Sequence, residues 1–272
     1  MKDQELKMAV KESYSRVAKN ASSCCSSGCC TSTKSESISK KIGYTEEQIE
    51  AVPEGSNLGL GCGNPIALAS LKKGETVLDL GSGGGFDCFL ASKIVGPQGK
   101  VIGVDMTEEM LARARANARQ GGYGNVEFRQ GEIEALPVED KSVDIIISNC
   151  VINLVPDKEK AFREAFRVLR PGGRLMVSDI VLKKKLPDFV KQSIEAYVGC
   201  VAGALQKDRY LDAIKSAGFE DVRVIEESDF PLDCMINDPT GQAILKSLQG
   251  SAEEVKKVEG CISSVKVSGL KL

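Results

Sequence analysis

The chain has 272 residues, 36 of them Lys or Arg and 38 Asp or Glu, for a formal net charge of -2. That length holds one sizeable core plus a smaller appendage, and the near balance of charge excludes a surface built to hold nucleic acid. Ten cysteines with no histidine or tryptophan exclude an imidazole general base, Ser-His-Asp catalysis and any His-containing zinc site.

In chain order, residues 2–19 place Leu6, Val10, Tyr14, Val17 and Ala18 at helical spacing among charges, the pattern of an amphipathic helix that docks on a larger body. Charges spread through this stretch predict no secretory leader, and no apolar run reaches the roughly 18 residues of a membrane span. The expectation is a cytoplasmic protein with no membrane partner, its thiols kept reduced for ligation or redox chemistry. Residues 21–40, ASSCCSSGCCTSTKSESISK, shift to Ser, Cys, Thr and Lys and predict a mobile arm carrying Cys24, Cys25, Cys29 and Cys30. Thr45 followed by Glu46 and Glu47 predicts a short helix ending before Pro53. The GSNLGLGCGNP that follows is too glycine-rich for regular structure.

From residue 74 the pattern turns regular. ETVLDLG, KVIGVDM, NVEFRQG, SVDIIISNCVIN and GRLMVSDI read as five apolar strands. FDCFLASKIV, the segment from Thr107 to near Gly121, and DKEKAFREAFRVLR, stopped by Pro171 and Gly172, read as helices among them. This alternation predicts an α/β fold with a doubly wound, mostly parallel sheet. Residues 187–217 read as helical and 221–228 as a late strand; the C-terminal extension predicts a helix after Pro239 and a strand near ISSVKV.

VLDLGSGGGFDC sets Asp79, Gly81, Ser82, Gly83 and Gly85 between the first strand and its helix, at the ligand crevice of an open parallel sheet. Backbone approaches a ligand closely there only where side chains are missing. The G-x-G-x-x-G spacing of a dinucleotide site fails, since its last glycine falls on Phe86, and Asp87 near the helix N-terminus disfavours a pyrophosphate. Asp105, ending the second strand, is placed to accept hydrogen bonds from ribose hydroxyls, so an adenosyl ligand without phosphates fits better than NAD. These residues, with GEIEALP, VDIIISNC and VLRPGGRLMVSD, resemble the class I S-adenosylmethionine-dependent methyltransferases over about residues 72–182. The resemblance implies a Rossmann-like fold with the methionine end of S-adenosylmethionine on the glycine loop, its ribose at Asp105 and its adenine flanked by Glu132 and Ile133. Met106 and Asn149 complete the implied cofactor site.

Three cysteines lie within reach of a ligand beside the transferred methyl group. Cys62 sits in a glycine loop, Cys150 follows the fourth strand at the cofactor edge, and Cys200 lies in the later helical segment. On the residues alone, Cys150 is the best placed of the three, with the small apolar end of a buried strand as its alternative reading; Cys200 reads equally as a packing residue on a helix face, and Cys62 is harder to explain by packing. GCG, SNCVINLVPDK and GCVAGAL, with Cys88 in FDC and the upstream paired cysteines, are closely similar to the arsenite methyltransferases over roughly residues 40–218. That resemblance implies Cys62, Cys150 and Cys200 as As(III) ligands, with an upstream thiol, Cys30 or one of Cys24, Cys25 and Cys29, in relay. Arsenite and methylarsenite are then the expected substrates, and a thioredoxin- or glutathione-like thiol the expected external reductant.

The boundaries expected are 1–40 for the N-terminal helix and Cys/Ser-rich arm, 41–182 for the cofactor domain, 183–229 for the As(III)-site helices and late strand, and 230–272 for a small α+β extension. CCSSGCC lacks the C-x-x-C spacing of a zinc knuckle and reads as a capture or resolving arm, or as an unstructured tail. Cys88 is expected to be a packing residue; Cys234 and Cys261 have no assigned role. Two other functions stay open on the residues. GEIEALPVEDKSVD and RVLRPGG also suit a quinone- or sterol-type methyltransferase, although 5% aromatics disfavours its acceptor pocket. A thiol-rich As(III)- or zinc-binding protein is the other, and the intact Asp79, Gly81, Gly83, Gly85 and Asp105 argue against it.

Overall fold

The computed structural model describes residues 3–20, 31–186, 190, 198, 200–229 and 260–272. Strands β1 (Thr76–Leu80), β2 (Lys100–Asp105), β3 (Val126–Gln130), β4 (Val143–Asn149), β5 (Leu169–Leu182), β6 (Glu220–Asp229) and β7 (Ile262–Leu270) form one sheet in the order β3-β2-β1-β4-β5-β7-β6. The ladders β1/β2, β2/β3, β1/β4 and β4/β5 are parallel; β7 runs antiparallel between β5 and β6. The predicted doubly wound, mostly parallel α/β sheet is therefore present, and strand order reverses between β1 and β4.

Successive side chains on a strand point to opposite faces. Val77 of β1 and Ile145 and Ile147 of β4 enter one apolar cluster, while Leu78, Leu80 and Ile146 enter the other. Near-continuous apolar strands thus fill two cores, one on each face. Helices α5 (Phe86–Val95) and α6 (Glu108–Gly121) feed the first, and α7 (Lys158–Val168) and α8 (Lys207–Ser216) the second.

The N-terminal helix α1 (Asp3–Asn20) packs across α6, where Arg113 Nη1 donates to Ala18 O and Lys19 pairs with Glu109 at 2.9 Å. Composition predicts an arm through residue 40, yet Thr31–Lys41 forms helix α2. Ile38 and, four residues on, Ile42 are both buried, so two apolar side chains at helical spacing seat an otherwise polar stretch. Helix α3 (Glu46–Glu50) begins at Thr45 as expected, and its capping box pairs Gln48 N with Thr45 Oγ1 and Thr45 N with Gln48 Oε1. The glycine-rich stretch after it closes on a short helix α4 (Pro65–Leu68), capped by Asn64 and started by proline.

Two boundaries move. Helix α7 ends at Val168 rather than at Pro171, and β5 starts at once, its register against β4 slipping between Val143 and Ile145 around the Pro171-Gly172 corner. Of the predicted helical span 187–217, α8 covers Lys207–Ser216, but residues 200–206 are turns and a bridge to Leu182. Cys200 therefore lies in a turn, at φ +64°, and not on a helix. The late strand and the ISSVKV strand appear as β6 and β7. Cys24, Cys25, Cys29, Cys30, Cys234 and the helix expected after Pro239 lie outside the described residues.

Candidate active site

Because β2 and β3 lie on one side of β1 and β4 on the other, the loops after β1 and β4 diverge at the sheet's switch point, where open α/β sheets bind ligands. One cavity there is lined by Asp79, Gly81, Ser82, Gly83, Asp105, Met106, Glu132, Ile133 and Asn149, all predicted at the cofactor, and also by Cys150 and Cys200. Gly85 stands one step back as the N-cap of α5, at φ +91° with Phe89 and Phe128 against it. The sequence reading missed the far wall: Lys7, Val10 and Tyr14 place α1 over the cavity.

The glycine loop is fixed from behind. Gly83 N donates to Asp105 Oδ2 at 2.9 Å and Thr107 N to Asp105 Oδ1 at 2.8 Å, with the Thr107 side chain and the Met106 backbone adding to the set, so Asp105 ties the loops after β1 and β2 together. Gly81 has φ +69°, and a Cβ there would overlap Val151. Replacing Gly81 with alanine is expected to cost at least about 2 kcal/mol of stability and to weaken cofactor binding, read by urea unfolding and titration calorimetry; unchanged affinity would show that the loop needs no such close approach.

The electrostatics select the ligand. Asp79, Asp87, Asp105, Glu132 and Glu134 line the cavity, and Lys7, already paired with Glu132 and Glu134, is its one lining cation among the described residues. Burial pushes the Asp79 carboxyl well above the usual carboxylate range, with the neighbouring Asp87 adding to the shift. Burial likewise raises Asp87 to about 6, against hydrogen bonds from Tyr44 Oη at 2.7 Å and Asn149 Nδ2 at 3.3 Å. Cys88 is fully buried as expected, and its thiol also donates to Asp79 Oδ2 at 3.2 Å. Ser82 Oγ is buried with no partner. Such a site repels phosphates and fits a nucleoside of net positive charge, which S-adenosylmethionine is.

Beside this cavity the fold gathers the predicted thiols. Cys62 Sγ, Cys150 Sγ and a carboxylate oxygen of Asp179 all lie within 4.8 Å of one another, and Cys200 Sγ donates to Cys150 O at 2.9 Å. The glycines around Cys62 have a packing reason. A Cβ on Gly61 would sit 2.8 Å from Asn149 Nδ2, and one on Gly63 would overlap Ser178 Oγ. Asn149 clamps this loop from both sides: its Oδ1 accepts from Cys62 N at 3.1 Å and its Nδ2 donates to Gly63 O at 2.8 Å. Ser264 Oγ of β7 donates to Cys62 O at 2.6 Å.

Cys150 and Cys200 both have positive φ, +57° and +64°. Non-glycine residues held there store about 1–3 kcal/mol each, a strain that clusters at functional sites. Burial raises the Cys62 thiol pKa. For Cys150 a hydrogen bond from Cys200 acts to lower the value, but contact with Cys62 and burial outweigh it and leave the thiol well above its ordinary range. Burial also lifts Asp179 to about 7, opposed by hydrogen bonds from Ile180 N and Tyr210 and by Lys158. The Cys62 and Cys150 thiols thus rest protonated, and a ligand that takes their sulfurs must displace protons. Cys261 is half-buried, with its sulfur 3.7 Å from Lys185 O, and is not among the residues of this cluster.

Residues 71–218 match a protein family described as a methyltransferase domain. The arsenite methyltransferase of Halobacterium salinarum is 46% identical over 235 residues, covering 83% of this chain and 60% of its own length. That of Aquipseudomonas alcaligenes is 38% identical over 243 residues, covering 86% of this chain and 68% of its own. The chain belongs to the arsenite methyltransferase family. The crystal structure of an arsenic(III) S-adenosylmethionine methyltransferase from Chlamydomonas reinhardtii agrees in fold, with a TM-score of 0.65 at 34% identity over 88% of this chain and 74% of that one. This arsenite methyltransferase family member thus has the class I methyltransferase fold, and it spans less than two thirds of the length of the Halobacterium salinarum relative. No helix among the described residues is long and apolar enough to cross a membrane.

Proposed function

We propose that this chain methylates trivalent arsenic held by Cys62, Cys150 and Cys200, using S-adenosylmethionine. One observation carries the reading. Cys150 and Cys200, 50 residues apart in sequence, line the same cavity as the glycine loop, and Cys62 stands beside them.

When bound, S-adenosylmethionine supplies an electrophilic methyl group on a sulfonium. Asp79 and Asp87 offset its positive charge, Gly81 and Gly83 allow the backbone to approach it, Asp105 and Met106 hold the ribose region, and Glu132 and Ile133 flank the adenine. Asn149 lines the same cavity while clamping the Cys62 loop. Three thiolates neutralise As(III) and leave its lone pair free, and soft sulfur suits a soft thiophilic centre. That lone pair is the nucleophile, so no side chain has to remove a proton from the acceptor, which agrees with a chain that has no histidine. Alignment of acceptor and donor in one cavity is the main catalytic contribution of the protein.

Departure of two thiolates as a disulfide returns two electrons to the methylated arsenic and leaves a trivalent methylarsenic cation on the remaining sulfur, which takes up hydroxide from water or an external thiolate as its third ligand, the proton going to solvent. A thioredoxin- or glutathione-like thiol then reduces the disulfide. Arsenite and methylarsenite are the substrates, and Cys24, Cys25, Cys29 or Cys30 serves capture or relay. The test is direct. Purified protein given donor labelled in its methyl group, arsenite, glutathione and thioredoxin is expected to yield labelled methylarsenic; no label on arsenic under those conditions overturns the reading.

A further inference from the structure

We propose that Asp179 is a further catalytic residue of the thiol site: its carboxyl takes the proton from an attacking cysteine and passes it to the hydroxide leaving arsenic. The inference rests on reading Cys62, Cys150 and Cys200 as arsenic ligands.

Capture of arsenite by three thiols replaces three As–O bonds with three As–S bonds and releases three waters. Each exchange moves one proton from sulfur to oxygen, and no electrons change hands. Hydroxide is a poor leaving group unless it is protonated as it departs, so a group that carries a proton between sulfur and oxygen speeds each exchange. Cys62 and Cys200 are buried, which favours a carrier that is part of the protein over bulk water.

Asp179 has the required place and support. It is fully buried near the end of β5, with a carboxylate oxygen within 4.8 Å of the Cys62 and Cys150 sulfurs. Its Oδ1 accepts from Asn153 Nδ2 at 2.8 Å and from Ile180 N at 2.9 Å, which uses both lone pairs. Its Oδ2 accepts from Tyr210 Oη at 3.1 Å, and the Asn153 backbone adds a further hydrogen bond to the carboxyl. Asn153 and Tyr210 are themselves fully buried, so the carboxyl is aimed by rigid neighbours from two separate elements. The nearby ammonium of Lys158 is spent on Asn153 O and Val155 O. Among the described residues, Asp179 is the one carboxyl grouped with the thiols.

A carboxyl that only braces the fold predicts a different outcome from one that carries protons, and the leaving group separates the two. Arsenite releases hydroxide, whereas arsenic tris(glutathione) releases thiolate, which departs without prior protonation. Capture by full-length protein, without methyl donor, is followed by the ultraviolet absorbance of As–S bonds. Asp179→Asn keeps the shape and most hydrogen bonds, and is expected to slow capture of arsenite at least about tenfold while capture from arsenic tris(glutathione) stays within about threefold. Asp179→Glu is expected to restore part of the arsenite rate. Equal losses with both arsenic sources, or no loss, overturn the proposal. Should the asparagine variant fail to fold, unaltered protein decides: arsenite capture slows in heavy water more than tris(glutathione) capture, and equal slowing overturns the relay. Wild-type protein that captures neither source overturns the thiol-site reading itself.

Discussion

Replacing Cys150 with serine is expected to lower methyl transfer to arsenic at least about a thousandfold, roughly 4 kcal/mol of barrier, while leaving the affinity for S-adenosylmethionine within a few-fold of wild type. Cys150 is the central thiol, since both Cys62 and Cys200 interact with its sulfur. Serine is close in size and sits no worse at φ +57°, so the turn held by Cys150 N on Ser178 O at 2.8 Å should persist. What disappears is the soft ligand, because a hydroxyl does not ionise near neutrality and binds a thiophilic centre poorly. Initial rates with labelled donor and calorimetric titration of the donor read the two effects separately. Turnover within about tenfold of wild type would remove Cys150 from the ligand set. Cys261→Ser, outside the cluster, is the control expected to change neither.

The sheet was legible because its strands announce themselves locally. In VDIIISN Ile145 and Ile147 belong to one face and Ile146 to the other, and both faces meet apolar helices, so the run reads as a buried strand and is one. The same regularity hid Asp179. In LMVSDIVL one acid among apolar residues looks like a strand end, and its meaning comes from Asn153 on the 3-10 turn Ile152–Leu154 and from Tyr210 on α8, neither of which sequence distance links to it. Tyr44 was hidden in the same way, its hydroxyl reaching Asp87 and Asn149 across 43 and 105 residues. YVGCVAGAL reads as helix because its apolar residues invite it, yet Cys200 takes a left-handed turn that puts its sulfur on Cys150 O. The amphipathic stripe of α1 announced a buried face, but only the fold reveals that Val10 and Tyr14 cover the cofactor cavity.

Affinity for S-adenosylmethionine is expected to rise about tenfold or more between pH 5 and pH 7. The buried carboxyls of the empty cavity are the cause. Asp87 titrates at about 6 because burial disfavours its charged form, and Asp79 is raised further for the same reason. The groups around them are the Tyr44 and Cys88 donors, Asn149 Nδ2 and the Asp105 carboxyl, with Lys7 committed to Glu132 and Glu134. A cationic ligand binds the ionised form best, so its affinity follows the ionised fraction, which for a group at about 6 rises from about one-tenth at pH 5 to about nine-tenths at pH 7. Asp79 extends the rise to higher pH. The sign is fixed by linkage: carboxyls raised above their unfolded values cost the empty protein stability as pH climbs through the interval between the two, and a bound cation returns it. The thermal shift produced by the donor should therefore be larger at pH 7 than at pH 5, and Asp87→Asn should flatten both profiles. An anionic nucleotide in the same cavity would give the opposite slope, so titrations of donor against wild-type protein across this range test the charge of the natural ligand as well as the role of Asp87.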